Sequence, residues 1–231
     1  MAEFQQRKRE KTMNIAIDGP AGAGKSSISK LVAEKLSFDY FDTGAMYRTM
    51  ALYFLKNGVD TGNEAQVVAD LDKIEIKVRR VNGEPQIYLN GENVSREIRN
   101  EQVGNNASVV AKYAKIREKL VALQREMATS SDVIMDGRDI GTVVLPNADV
   151  KIYLTASSAV RAERRYKELR EKGVDCDLKK IEEDIVLRDE QDMNREISPL
   201  RQADDAILVD SSDMTIDEVV EKISSIVEAA K

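Results

Sequence analysis

Residues 13–27 read MNIAIDGPAGAGKSS, and they decide the fold. Ile15 and Ile17 sit in a short apolar run that predicts a buried strand over 13–18. Gly19, Pro20, Ala21, Gly22, Ala23, Gly24, Lys25 and Ser26 then match G-x-x-x-x-G-K-[ST] at every position, with Ser27 next in line. Behind them Ile28, Leu31, Val32 and Leu36 recur at helical spacing and predict a helix from about Lys25 to Leu36. The motif therefore falls between a strand and a helix N-terminus, where its physics works. Its glycines let backbone N–H groups turn inward around phosphate oxygens. The helix dipole adds partial positive charge. Lys25, expected to be exposed before a nucleotide binds, can reach the β- and γ-phosphates, and Ser26 can ligate Mg²⁺.

The pattern outward from this stretch is that of an α/β protein. A short strand over 38–42 is followed by Thr43-Gly44 and a helix over 45–56, with Met46, Met50 and Leu52 facing inward. Strand–helix–strand–helix at this spacing implies parallel pairing. Then Ile74, Ile76, Val78, Ile87 and Leu89 alternate with polar residues, around turn signals at Asn82-Gly83 and Asn90-Gly91. That predicts an antiparallel β insert over 74–94, within a subdomain of about 70–100. It is either a decorative flap or a mobile cap over a second substrate. Residues 99–130 read as two helices, with Ile116, Leu120, Leu123 and Met127 as a core stripe. Strands over 133–136, 150–155 and 206–210 alternate with charged helices over 157–172 and 178–195. The last helix starts at a capping box, Thr215 with Glu218, and presents Ile216, Val219, Val220, Ile223 and Val227. The expectation is a doubly wound α/β sandwich on a five-stranded parallel sheet, plus the insert and a helical lid over 157–195. Residues 13–231 form one domain, and residues 1–12 read as a disordered leader outside the fold. Ligands of such sheets sit at the strands' carboxyl ends.

Composition narrows the chemistry. The 231 residues carry 35 basic and 41 acidic side chains, a net charge of −6, which disfavours general binding to nucleic acid or membranes. An anion site must then be a local cluster of Arg and Lys. There is no histidine, which excludes imidazole acid–base work and every Ser–His triad. The one cysteine, Cys176, makes no internal disulfide. No apolar run of about 18 residues exists to span a membrane. The first residues lack a signal-peptide core, so a cytoplasmic protein is expected.

Four further clusters carry charge where the fold puts ligands. Asp136 ends an apolar strand and can hold Mg²⁺ through a water, as a Walker-B acid does. Asp136-Gly137-Arg138-Asp139-Ile140-Gly141-Thr142 is denser in charge than a turn requires. Thr43 opens a helix whose second turn carries Arg48. Arg161, Arg164 and Arg165 share one helix face, and Arg188, Asp192 and Arg195 share another. Arginine runs are usually solvated faces. Beside a phosphate loop they suit phosphoryl transfer, which needs positioning and cations around the transferring group.

Together these stretches resemble the bacterial cytidylate (CMP) kinases. The resemblance is carried by IDGPAGAGKSS, FDTGAMYR, NNASVVA, KIREKL, DGRDIGTVV, RAERR and RDEQDMNR, in family order across nearly the whole chain from Met13. It implies ATP-dependent phosphorylation of CMP and dCMP with Mg²⁺; a monomer is expected separately, because no coiled-coil seam argues against one. It implies that Thr43, Arg48, Arg138 and Arg195 hold the acceptor phosphate, and that Ser108, Arg117 and Asp139 read cytosine. Arg188 and Asp192 would contact the ribose and phosphate side, and Arg161, Arg164 and Arg165 would serve ATP from the lid. Asp139 has a plainer alternative, a salt bridge to Arg138. Thymidylate, shikimate and dephospho-coenzyme A kinases share the fold but differ at the acceptor site, where this chain has DGRDIGT. A GTP-dependent switch would need an N-K-x-D motif, which is absent.

Overall fold

The computed structural model describes residues 12–81 and 84–231. The leader expected over 1–12, but for Thr12, and the Asn82-Gly83 turn lie outside the described residues. The main sheet holds β1 (Asn14–Asp18), β2 (Asp39–Asp42), β6 (Val133–Gly137), β7 (Val150–Thr155) and β8 (Ile207–Asp210), in the order β2-β6-β1-β7-β8. Every pairing is parallel, with Ile17 beside Asp136 on one side and Ile152 on the other. All five strands expected from the sequence are present, and their carboxyl ends open on one edge. Ile15, Ile17, Ile134 and Ile152 are fully buried, as continuous apolar runs in a sheet covered on both faces should be.

Helices α1 (Lys25–Leu36), α2 (Thr43–Lys56), α4 (Glu101–Val110), α5 (Ala114–Met127), α6 (Ser158–Glu171), α7 (Leu178–Asn194) and α8 (Ile216–Glu228) match the sequence expectation within a few residues. The short helix α3 (Glu64–Ala69) was not foreseen; Asn63 caps it by accepting the Gln66 amide. Thr215 and Glu218 form both halves of the expected capping box on α8. Two side chains expected inward turn out otherwise. Leu31 lies on the outer side of α1, and Ile216 points to the cavity described below, so both are exposed.

The insert is β3 (Ile76–Val81), β4 (Glu84–Leu89) and β5 (Glu92–Asn93), antiparallel throughout. Ile74 belongs to the preceding turn and not to the strand. Ile76, Ile87 and Leu89 are buried in one cluster with Met50 and Phe54 of α2, Val103 and Ala107 of α4, and Leu120 of α5. A separate cluster joins the sheet to α1 and α8. The insert therefore shares its core with α2, α4 and α5.

Candidate active site

One cavity of about 820 Å³ runs along the carboxyl edge of the sheet. Nearly every residue singled out from the sequence lies on it or directly behind it. At one end is the phosphate loop. Gly24 sits at φ 83° as the cap of α1, a left-handed conformation that glycine adopts without strain. Gly19 has no room for a side chain, since a Cβ there would stand 1.9 Å from the Leu154 carbonyl oxygen of β7.

Lys25 corrects an expectation. It is buried, not exposed, and its Nζ donates to the Pro20 carbonyl oxygen at 2.7 Å. Burial, with Arg138 nearby, lowers its pKa to about 7 against the pull of Asp136, Asp18 and Asp192. The loop holds its lysine folded back, in an environment that a phosphate anion would relieve. Ser26 Oγ donates to Asp136 Oδ2 at 3.0 Å, and Tyr40 donates to Asp136 Oδ1 at 2.7 Å. Burial and then Asp42 raise the Asp136 pKa to about 6. A hydroxyl and a carboxylate in contact, both oxygen donors, fit a hard cation such as Mg²⁺. Among the described residues no group of three or more acidic or thiol side chains is arranged to hold a metal alone. A cation here would take its remaining ligands from phosphate and water.

The other end is built by α2, the 137–145 segment and α7. Arg48 pairs with Asp42 at 2.7 Å, and Arg138 pairs with Asp192 at 2.8 Å. Burial works against the charge of Arg138, but Asp192 outweighs it and raises the pKa. Arg188 lines the same space; among the described residues it makes no salt bridge, although Asp192 and Asp189 lie near enough to favour its charge. Its enclosure, and then Arg138, lower its pKa. Thr43 lines the cavity, and its buried hydroxyl donates to the Asp136 carbonyl at 2.7 Å.

Asp139 accepts from Arg117 Nη2 and from Arg195 Nη2, and not from Arg138. Arg117 also donates to Ser198 Oγ and the Ala111 carbonyl, and its guanidinium lies 5.5 Å above the Tyr47 ring. Arg195 donates its Nε to the Ser198 carbonyl. Beside this network Gly104, Ala107 and Ser108 of α4, with Ala111 at its C-cap, form a wall of small side chains. A flat ring fits against such a wall. Among the described residues, none from 74–94 lines the cavity; α4 does so in their place.

The lid arginines separate into three situations. Arg161 is buried, and Nη1 donates to the Ala21 carbonyl at 2.8 Å while Nη2 meets Asp189 at 2.7 Å. Arg164 donates to Ser211 on the loop after β8. Arg165 alone of the three has an exposed head group, paired with Glu168. Sequence reading missed Asp18, Tyr40 and Asp189. Asp18 is buried, accepts the Ile140 and Gly141 amides at 2.8 and 2.7 Å, and has its pKa raised by burial to about 6. It ties the end of β1 to the segment that carries Arg138 and Asp139. The NNASVVA stretch held a usable signal, because its small residues recur at helix spacing.

The cytidylate kinase family model matches residues 15–229. This chain is a member of the cytidylate kinase family. A cytidylate kinase of Lactobacillus johnsonii is 52% identical over 216 residues, covering 94% of this chain and 94% of its own. One of Bacillus cereus is 48% identical over 218 residues, covering 94% of this chain and 97% of its own. An uncharacterised protein from Eubacterium ventriosum shares the fold, with a TM-score of 0.53 at 12% identity, covering 94% and 99%. Family membership makes the chain a kinase with nucleotide substrates and supports a nucleoside monophosphate kinase role. Among the described residues no helix is long and apolar enough to cross a membrane.

Proposed function

We propose that the chain transfers the γ-phosphoryl group of ATP to CMP and dCMP. The observation that carries this is the convergence on one cavity of Lys25 with Arg48, Arg138, Arg188 and Arg195, of which Arg188 makes no salt bridge among the described residues. ATP would occupy the loop from Gly19 to Ser27. The acceptor phosphate would lie among Arg48, Arg138, Arg188 and Arg195, and the cytosine against α4 beside Ser108, Arg117 and Asp139. Thr43 contributes by fixing Asp136.

The acceptor's phosphate oxygen is already an anion, so attack on the γ-phosphorus needs no general base. A chain without histidine suits that chemistry. Lys25 and the arginines neutralise charge while two anions are brought in line. Mg²⁺, held by Ser26 and by Asp136 directly or through water, would supply further charge neutralisation on the phosphates. Enclosure of the cavity keeps water from competing as acceptor. A steady-state assay with MgATP and each nucleoside monophosphate in turn tests the proposal. CMP and dCMP are expected to give the highest kcat/KM, and a higher value for AMP, GMP, UMP or dTMP would overturn the substrate assignment.

A further inference from the structure

Helix α7 touches both ends of the cavity. Toward the phosphate loop, Asp189 accepts the Ala21 amide at 3.3 Å and pairs with Arg161 at 2.7 Å. Arg161 in turn donates Nη1 to the Ala21 carbonyl at 2.8 Å and Nε to the Ala156 carbonyl at 2.9 Å. Both polar backbone atoms of Ala21 are thus gripped by one buried ion pair. Toward the acceptor end, Asp192 holds Arg138 at 2.8 Å, Arg195 reaches Asp139 at 3.4 Å, and Arg188 faces the cavity between them.

The rest of α7 does not account for this pair. Val186 and Leu187 are exposed, and Asp189 is its one buried position. Desolvating two charges is costly and is recovered only with good geometry and full hydrogen bonding. Here that geometry is used on the tip of the phosphate loop. Three donors of Arg161 have partners, so its guanidinium is committed to protein contacts.

We propose that Arg161 and Asp189 are positioning residues that fasten the phosphate loop to α7, and that α7 thereby couples the two nucleotide subsites. The inference rests on the CMP kinase reading given above. A monophosphate drawing in Arg138, Arg188 and Arg195 favours one placement of α7, and through Asp189 that placement sets the Ala21 backbone. Donor binding then tightens when the acceptor is present, and by linkage the acceptor gains the same factor from the donor.

The test is titration calorimetry of the Mg²⁺ complex of a non-hydrolysable ATP analogue, with and without saturating CMP. The wild-type protein is compared with Arg161→Met/Asp189→Leu, which removes both charges together so that neither is left buried alone. The wild type is expected to bind the analogue roughly fivefold or more tightly with CMP, the lower end of usual coupling factors. The double variant should show a ratio near one. Arg161→Lys keeps the charge but not the forked geometry and should lie between; it also serves as the test if the double variant fails to fold. A merely structural role would lower Tm and weaken both ligands while leaving the ratio intact, and an intact ratio in either variant overturns the proposal. So does a wild-type ratio of one. A wild type that binds the analogue but no CMP would instead overturn the substrate reading, and the coupling with it.

Discussion

Lys25 in this structure is a lysine held ready to gain a proton. Its pKa lies near 7 because it is buried close to Arg138. A bound triphosphate supplies negative charge and raises that pKa, so between the two values the complex holds more protons than the free protein. Nucleotide binding should therefore take up protons at pH 8, where roughly nine-tenths of a group with that pKa is neutral. Uptake should fall toward pH 6, and affinity should weaken as pH rises through 7. Calorimetry in buffers of different ionisation enthalpy measures it, and Lys25→Met should abolish it. The same variant should lose about 100-fold or more in kcat, the scale seen when one donor to a developing oxyanion is removed. Asp139 makes a second test. Two arginines occupy part of its acceptor capacity, and an ionised carboxylate has about four lone-pair sites, so it can still accept the cytosine N4 proton. Asp139→Asn can turn its amide to donate to uracil O4. It should narrow the CMP-to-UMP ratio of kcat/KM about tenfold; an equal loss on both substrates would leave Asp139 as a brace for Arg117 and Arg195 only. What the sequence showed at this scale was local. The phosphate loop and the DGRDIGT stretch are contiguous, so their chemistry could be read by spacing. Asp18, Tyr40 and Asp189 meet partners 122, 96 and 168 positions away. Those meetings are set by strand order, which no local pattern encodes.

Among elements, periodicity worked best where one face is buried. The Ile116–Leu120 stripe of α5 and the Val219–Ile223–Val227 stripe of α8 pack as expected. It worked poorly at 140–144, where a wide turn closes with Leu145 donating to the Ile140 carbonyl. That turn depends on Asp18, which accepts two of its amides from another strand. The lid is also more anchored than a charged surface helix suggests. Arg161 and Arg164 tie the first turns of α6 to the Ala21 backbone and to Ser211. Closing should therefore concentrate beyond Arg165, over 165–175, and in α4, whose Gly104, Ala107 and Ser108 line the cavity. Hydrogen exchange should slow in both segments when a bisubstrate analogue is added, because two charged ligands are desolvated together. Unchanged exchange in both would refute a closing cavity. Strands β3–β5 should respond less than α4, since none of their described residues lines the cavity.

The whole molecule is a sheet that carries the phosphate loop and a second core that carries α4 and its wall of small side chains. The insert reads in sequence as an appendage, because its period changes from helical to alternating. The structure joins it to α2 and α5 through Met50, Phe54 and Leu120, all fully buried. Phe54→Ala should therefore cost roughly 3–5 kcal/mol of stability, the range for emptying a buried aromatic site, and a loss below about 1 kcal/mol would contradict a shared core. Fold class and the donor end were legible because a phosphate loop requires its strand and helix. The acceptor end was legible only as clusters of charge, and their convergence on one cavity came from the tertiary structure. The most direct measurement of the central claim is the steady-state rate with MgATP against a panel of nucleoside monophosphates, coupled to ADP formation. The account predicts that CMP and dCMP give the highest kcat/KM and that ADP and the pyrimidine diphosphate appear in equal amounts. ADP released without a matching diphosphate, or a purine monophosphate as the best acceptor, would contradict it.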